Sequence, residues 1–328
     1  MRTDNRLGGG TPPTGAPQAP SGGRGDTRCP SGANRPETRV AAPATGCGDV
    51  AERRPLTAAC RRAAEVIRAA LVPAPRELAV SWFNGDRDPY PERAESYDLA
   101  TLADDVRAIV SGTSPKGRGA VLCPSTFGPP DAAPDLDLPR RAANLQRATL
   151  VQLDVDGRAD DAAPDAPSPT MRDAIGVLAA WGVAAVVWPS PSAEGPGLEV
   201  DRFRIMVQIA PDVPRGARDR RIAPSSYAAR RALVRLALAC LPGADIDEGP
   251  AVNALALAFV HPRHAPRPPA DVHLLRGRAV DLDALAALAV TAGVVPPFDA
   301  SADRHRDGAV YDLATLRELA AAAALAPP

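Results

Sequence analysis

One stretch constrains this chain more than any other: Leu150-Val-Gln-Leu-Asp-Val-Asp-Gly157. Apolar and polar residues alternate along it, the pattern of a half-buried β-strand rather than a helix. Successive strand residues rise about 3.3 Å and point to opposite faces. Val151, Leu153 and Val155 would enter a core, while Gln152, Asp154 and Asp156 would share the other face, up to a glycine turn. Two like charges side by side on one face repel unless a cation or water separates them. A divalent metal site is the usual reason for such a placement. The plainer alternative is a strand that ends in an acidic turn.

Composition narrows the setting. The 328 residues suffice for one large domain or two small ones, and 45% of them are hydrophobic. Basic residues are nearly all Arg, with Lys116 the only lysine. A net charge of −1 argues against a chain that coats nucleic acid non-specifically, though a local basic groove stays open. The five cysteines, Cys29, Cys47, Cys60, Cys123 and Cys240, form no C-x-x-C pair and no zinc-like spacing with histidine. Scattered and odd in number, they suit a reducing compartment. The N-terminus lacks the apolar segment of a signal peptide, and no apolar run reaches the length of a membrane span. The expectation is a cytoplasmic protein with no membrane partner.

Residues 1–54 are rich in Gly, Pro, Ala, Thr and Arg without hydrophobic period, and read as a disordered tail. Residues 55–295 read as the functional domain and 296–328 as a linker and helix. Helical periods predict helices over 56–71, 97–111, 169–181, 225–241, 279–290 and 311–325. Strands are expected at 77–83, 120–123, 148–156, 183–188, 202–209 and 252–260, with 124–139 as loop. The hexamer Tyr-Asp-Leu-Ala-Thr-Leu opens two of the helices, at 97 and 311, where Asp98 and Asp312 are placed to cap. Strands and helices alternate without regular βαβ units, which favours an α+β fold with a mixed sheet.

Three further segments could carry chemistry. Leu241-Pro-Gly-Ala-Asp-Ile-Asp-Glu-Gly249 is a second acidic cluster, read as a loop, from which Asp245, Asp247 or Glu248 could complete a metal site begun by Asp154 and Asp156. A solvated loop is the alternative. Ser190-Pro191-Ser192 follows a buried strand, and the next strand opens with Arg202 and Arg204 on one face, opposite Phe203, Ile205 and Val207. Serine hydroxyls, backbone N–H groups and an Arg fork make a phosphate cradle; a β-hairpin with a polar tip is the alternative. Upstream, Ser114-Pro-Lys-Gly-Arg118 and Pro139–Arg147 are basic and loop-like. There is no G-x-x-x-x-G-K-[ST] loop, no G-x-S-x-G elbow and no H-E-x-x-H. The histidines, His261, His264, His273 and His305, all fall late and lack partner motifs.

The order of these elements resembles the catalytic domain of the archaeo-eukaryotic primase superfamily, most closely the primase-polymerase domains of phages, plasmids and integrated elements. A basic loop with lysine precedes a strand ending in hDhDG. Then come a Ser-Pro-Ser loop, an R-h-R-h-h strand, a helix led by Tyr227, an h-D segment and Phe259-Val-His-Pro262. The resemblance covers about residues 77–292. It implies an RRM-like core with a two-metal nucleotidyl-transfer site. Asp154, Asp156 and Asp247 would hold Mg²⁺ or Mn²⁺, with Asp245 the second choice for the third carboxylate. Ser190, Ser192, Arg202, Arg204 and Lys116 would contact nucleotide phosphates. The implied partners are a single-stranded DNA template, nucleoside triphosphates and a separately encoded helicase. One departure stands out: the family's Ser-x-His motif falls on Ser190-Pro191-Ser192, and no histidine lies between Asp156 and Asp247.

Three functions follow. The first is a primase-polymerase-like nucleotidyltransferase from a mobile element, making or extending primers on single-stranded DNA. The second is a catalytically weakened replication-initiation or DNA-binding module of the same fold. The third is a metal-dependent phosphohydrolase or nuclease, which needs Asp154 and Asp156 but not the Arg202/Arg204 strand.

Overall fold

The computed structural model describes residues 57–292, apart from 116, 130–131, 160–167 and 213–223. Lys116, the N-terminal tail, the 311–325 helix and its Asp312 cap lie outside the described residues. In chain order the elements are α1 (Ala58–Ala69), β1 (Leu71–Val72), β2 (Leu78–Asn84), β3 (Arg93–Tyr97), α2 (Leu99–Val110), β4 (Ala120–Cys123), β5 (Ser125–Phe127) and β6 (Leu145–Arg158). They continue with α3 (Met171–Trp181), β7 (Ala185–Pro189), β8 (Arg202–Asp212), α4 (Pro224–Cys240), β9 (Ala244–Asp247), α5 (Glu248–Val252), β10 (Ala258–Phe259), β11 (His273–Leu275), β12 (Ala279–Val280) and α6 (Leu282–Thr291). The fold is α+β with a mixed sheet and flanking helices.

Helix starts follow local chemistry. Thr57 caps α1 through Cys60 N, and Asp98 caps α2 through Thr101 N at 2.7 Å. Thr170 and Asp173 form a reciprocal capping box on α3, which Gly182 ends at φ +77°, a left-handed conformation that glycine adopts without steric cost.

The site is built on β6 to β9. Strand β6 runs antiparallel to β8 from Ala148 to Asp156, β8 is antiparallel to β7, and β9 is antiparallel to the far end of β6. The spatial order is β9-β6-β8-β7, with α3 connecting β6 to β7 and α4 connecting β8 to β9. This is a β-α-β-β-α-β arrangement in which β8 inserts between the two strands of the first β-α-β unit. Strand β5 shares the β9 edge of β6 lower down, β11 extends the sheet beyond β7, and β12 adds to β8 in parallel.

Both faces of this sheet are covered. Val151, Leu153 and Val155 of β6 pack with Phe203, Ile205 and Val207 of β8 against α1, α3, α4 and α6. On the other face Leu150, Val186, Trp188 and Met206 pack under α2 and a second sheet of order β10-β4-β2-β3, through Leu78, Val80, Trp82, Leu102 and Val106. That cover ends along β6: Gln152 is buried, Asp154 is 8% exposed and Asp156 is exposed.

Some expectations differ from the fold. The loop reading of 241–249 is corrected, because Ala244–Asp247 is strand β9 and Glu248 opens α5. The strand expected over 252–260 shrinks to Ala258–Phe259, and the 124–139 loop contains β5. The opening strand does not stop at Gly157 but continues to Arg158.

Candidate functional site

Register builds the site. Asp154 is the direct partner of Arg204 on one side and of Asp247 on the other, and Arg204 is in turn opposite Trp188. One residue row across the sheet therefore reads Asp247, Asp154, Arg204, Trp188. Directly opposed residues of an antiparallel pair point to the same face with Cβ atoms about 4.5–5.5 Å apart. Asp156, opposite Arg202, lies two residues further along the same face.

Strand β9 supplies its acids by the same alternation. Ala244 and Ile246 are buried in the helix-side core, and Asp245 and Asp247 are exposed. Between Val155 and Arg158 two residues of β6 stand opposite Asp245 alone, a β-bulge. Gly157 sits in it at φ +105°, a backbone conformation that strains any side chain, and a Cβ there would lie 3.4 Å from Asp201 Oδ2. The glycine of the hDhDG stretch thus permits a bulge inside a continuing strand.

Four carboxylates and two guanidiniums share this end of the face. Arg204 grips Asp154 in a fork: Nε donates to Oδ1 at 3.1 Å and Nη2 to Oδ2 at 2.9 Å. Its Nη1 donates to the Phe259 carbonyl, and its guanidinium carbon lies 5.9 Å from the centre of the Phe259 ring. Asp247 accepts from Gly249 N at 2.9 Å and caps α5. Among the described residues Asp156, Asp245 and Arg202 make no side-chain hydrogen bond or ion pair. Burial, then the charge of Asp154, hold the Asp156 carboxyl above the ordinary carboxylate range, against the opposing pull of Arg204 and Arg202.

Of the other expected residues, the two serines follow β7. Ser190 is buried, its hydroxyl 3.4 Å from that of Ser192, and its N–H donates to the Arg202 carbonyl. β7 and β8 form an antiparallel hairpin, so the polar-tip alternative describes this loop's backbone accurately. Arg267, unnoticed in the sequence, holds the tip by donating to the carbonyls of Ala193 at 2.6 Å and Gly195 at 2.9 Å. On either side of Lys116, Ser114 N donates to the Pro262 carbonyl, and Gly119 packs so close to His261 that a Cβ there would lie 2.7 Å from the ring. Of the second basic segment, Arg140 is spent on the Leu255 carbonyl at 2.9 Å, while Arg141 is exposed. Behind Asp154, both ends of the Gln152 amide are buried without a partner, as is the Trp188 indole N–H.

Among the described residues, no three His, Cys, Asp or Glu side chains form a ready-made metal site. The donor set nonetheless fits a hard divalent cation such as Mg²⁺ or Mn²⁺: all its donors are carboxylate oxygens, they outnumber the guanidiniums, and two of the carboxylates have no partner. Asp245, the second choice for the third carboxylate, shares the exposed side of β9 with Asp247 but stands opposite the bulge rather than in register with Asp154. The signal was the period-2 pattern Ala-Asp-Ile-Asp, which matches Leu-Asp-Val-Asp on β6. No helix among the described residues is long and apolar enough to cross a membrane. Compared with known proteins, the chain matches no family model, no curated protein and no solved structure.

Proposed function

We infer that this chain is a primase-polymerase-like nucleotidyltransferase that makes or extends primers on single-stranded DNA from nucleoside triphosphates. The observation that carries the reading is the register that puts Asp247, Asp154 and Arg204 in one row, with Asp156, Asp245 and Arg202 beside them. The β9-β6-β8-β7 order supports an RRM-like core of the kind the sequence resemblance implies. Asp154, Asp156 and Asp247 would hold Mg²⁺ or Mn²⁺, which would lower the pKa of the attacking hydroxyl and neutralise charge on the transferring phosphoryl group. Arg204 and Arg202 would orient phosphate oxygens as planar forks, and Ser192 would donate a hydroxyl to them. Lys116, which the sequence resemblance assigns to the nucleotide phosphates, would add a cation. A single-stranded DNA template and nucleoside triphosphates are the partners this activity requires, and a helicase would be an accessory to it rather than a requirement.

A second reading has its own support. Asp154 is already paired, and the Ser190-Pro191-Ser192 loop has no histidine, which suits a catalytically weakened DNA-binding module. Template-dependent incorporation with Mn²⁺ separates the readings. The expected result is incorporation that Asp154→Ala abolishes while single-stranded DNA binding stays within about twofold. Binding without incorporation by the wild type would favour the weakened module. Template-independent triphosphate or DNA hydrolysis would favour a phosphohydrolase or nuclease.

A further inference from the structure

The carboxylate that the proposed activity needs most is the one already taken. Asp156 and Asp245 have no partner among the described residues, yet Arg204 closes on Asp154 at the centre of the row, using both carboxylate oxygens. The pair is nearly but not fully sealed: its side chains are 10% and 11% exposed. Arg204 also has a second anchor. Its third nitrogen rests on the Phe259 carbonyl, so the guanidinium stays at the site when the fork lets go of Asp154.

Resting on the metal-and-triphosphate reading above, we propose that the Arg204–Asp154 pair is a latch that makes divalent cation and polyphosphate bind cooperatively. A cation needs the oxygens of Asp154, and a triphosphate needs the fork of Arg204. Either ligand alone must break the ion pair and leave one charge of a nearly buried couple uncompensated. Both together break it once, and each half gains a new opposite charge. A coupling of this kind is reciprocal, and typical couplings change affinity roughly 5–150-fold. The site then stays unloaded until a nucleoside triphosphate and its cation arrive together.

A latch predicts gains of binding where simple contacts predict losses. In the full chain without nucleotide, Arg204→Met is expected to bind Mn²⁺ roughly tenfold tighter than wild type, read by electron paramagnetic resonance of free Mn²⁺. Arg202→Met makes the same change in charge two residues along the strand, but Arg202 is unpaired, so its gain should be several-fold smaller. Without metal, Asp154→Asn frees the fork and is expected to bind a fluorescent nucleoside triphosphate roughly tenfold tighter by anisotropy. The Asp154→Asn change is isosteric, so this arm stands even if Arg204→Met melts. Equal gains from Arg202→Met and Arg204→Met, or no gain from Asp154→Asn, overturn the latch. If wild type binds Mn²⁺, Asp154→Asn loses it and Arg204→Met leaves it unchanged, the latch falls and the metal site stands. If Asp154→Asn binds Mn²⁺ as wild type does, both fall.

Discussion

Asp156 shows what this site costs the fold. Its carboxyl is held above the ordinary range by burial and by the charge of Asp154. A carboxyl whose folded-state pKa exceeds its unfolded value binds its proton more tightly in the native state. Stability therefore falls as pH rises from the unfolded value through the folded one, and the loss is complete above it. Asp156→Asn removes that loss. The variant is expected to melt about 1–2 °C higher than wild type at neutral pH, the shift that ~0.5 kcal/mol makes in a domain of this length once solvent screening is allowed for. The gap should close as pH falls through the carboxylate range, which calorimetry across pH will read. A variant that melts lower at neutral pH would mean that Arg202 and Arg204 more than compensate the charge. The acids of this row were legible in the sequence because alternation along one strand fixes their face. Their pairing was not, because nothing local says that Arg204 rather than Arg202 faces Asp154. Inter-strand register decides that, and a one-residue slip would turn every side chain to the other face.

Elements were legible where they carried their own pattern. The amphipathic helices α1 to α4 and strands β6 to β8 repeat apolar residues often enough to be read alone. Strand β9 is four residues long and reads as a loop from sequence, and β10 to β12 are two or three residues long, so they exist through their partners rather than their composition. Gly277 shows how such an edge is held. Ala184 N donates to the Arg278 carbonyl and Arg278 N to the Gly182 carbonyl, pressing two backbones together ahead of β7. A Cβ on Gly277 would lie 2.4 Å from the Val183 carbonyl carbon and 2.5 Å from the Gly182 oxygen, atoms that no rotamer change can move. Gly277→Ala is therefore expected to cost about 1–3 kcal/mol, a drop of roughly 3–10 °C in Tm. Gly176→Ala, within α3 and with open space around the added methyl, should shift Tm upward instead through better helix propensity. Thermal melts of the two variants check the contrast, and a Gly277→Ala protein as stable as wild type would refute the close approach.

At the scale of the whole molecule, the expectation of an α+β fold with a mixed sheet holds, but the second layer was hidden. The sequence offers Gln152, Asp154 and Asp156 as one polar face, which suggests a sheet open to water on that side. Leu150 lies on the same face, and with Val186, Trp188 and Met206 it belongs to the core under α2 and the β10-β4-β2-β3 sheet. One face is thus dry at one end of β6 and wet at the other, and four residues of one strand are too few to declare both. This division gives the site its wall, because Phe259 of the second sheet anchors Arg204. It also makes the layers interdependent. A fragment of residues 145–253 keeps the whole β-α-β-β-α-β unit but loses α2 and the second sheet from one face and α1 and α6 from the other, uncovering apolar side chains that include fully buried Trp188. Uncovered apolar area loses about 25 cal/mol per Å², and an exposed patch of this kind associates with dyes and with other copies of itself. The fragment is expected to bind an anilinonaphthalene dye strongly and to melt without a sharp transition. A chain of residues 57–292, which contains both cores, should melt cooperatively with little dye bound. A fragment that melts as sharply as the longer chain would show that α3 and α4 alone close the sheet, and the carboxylate row could then be studied without its second wall.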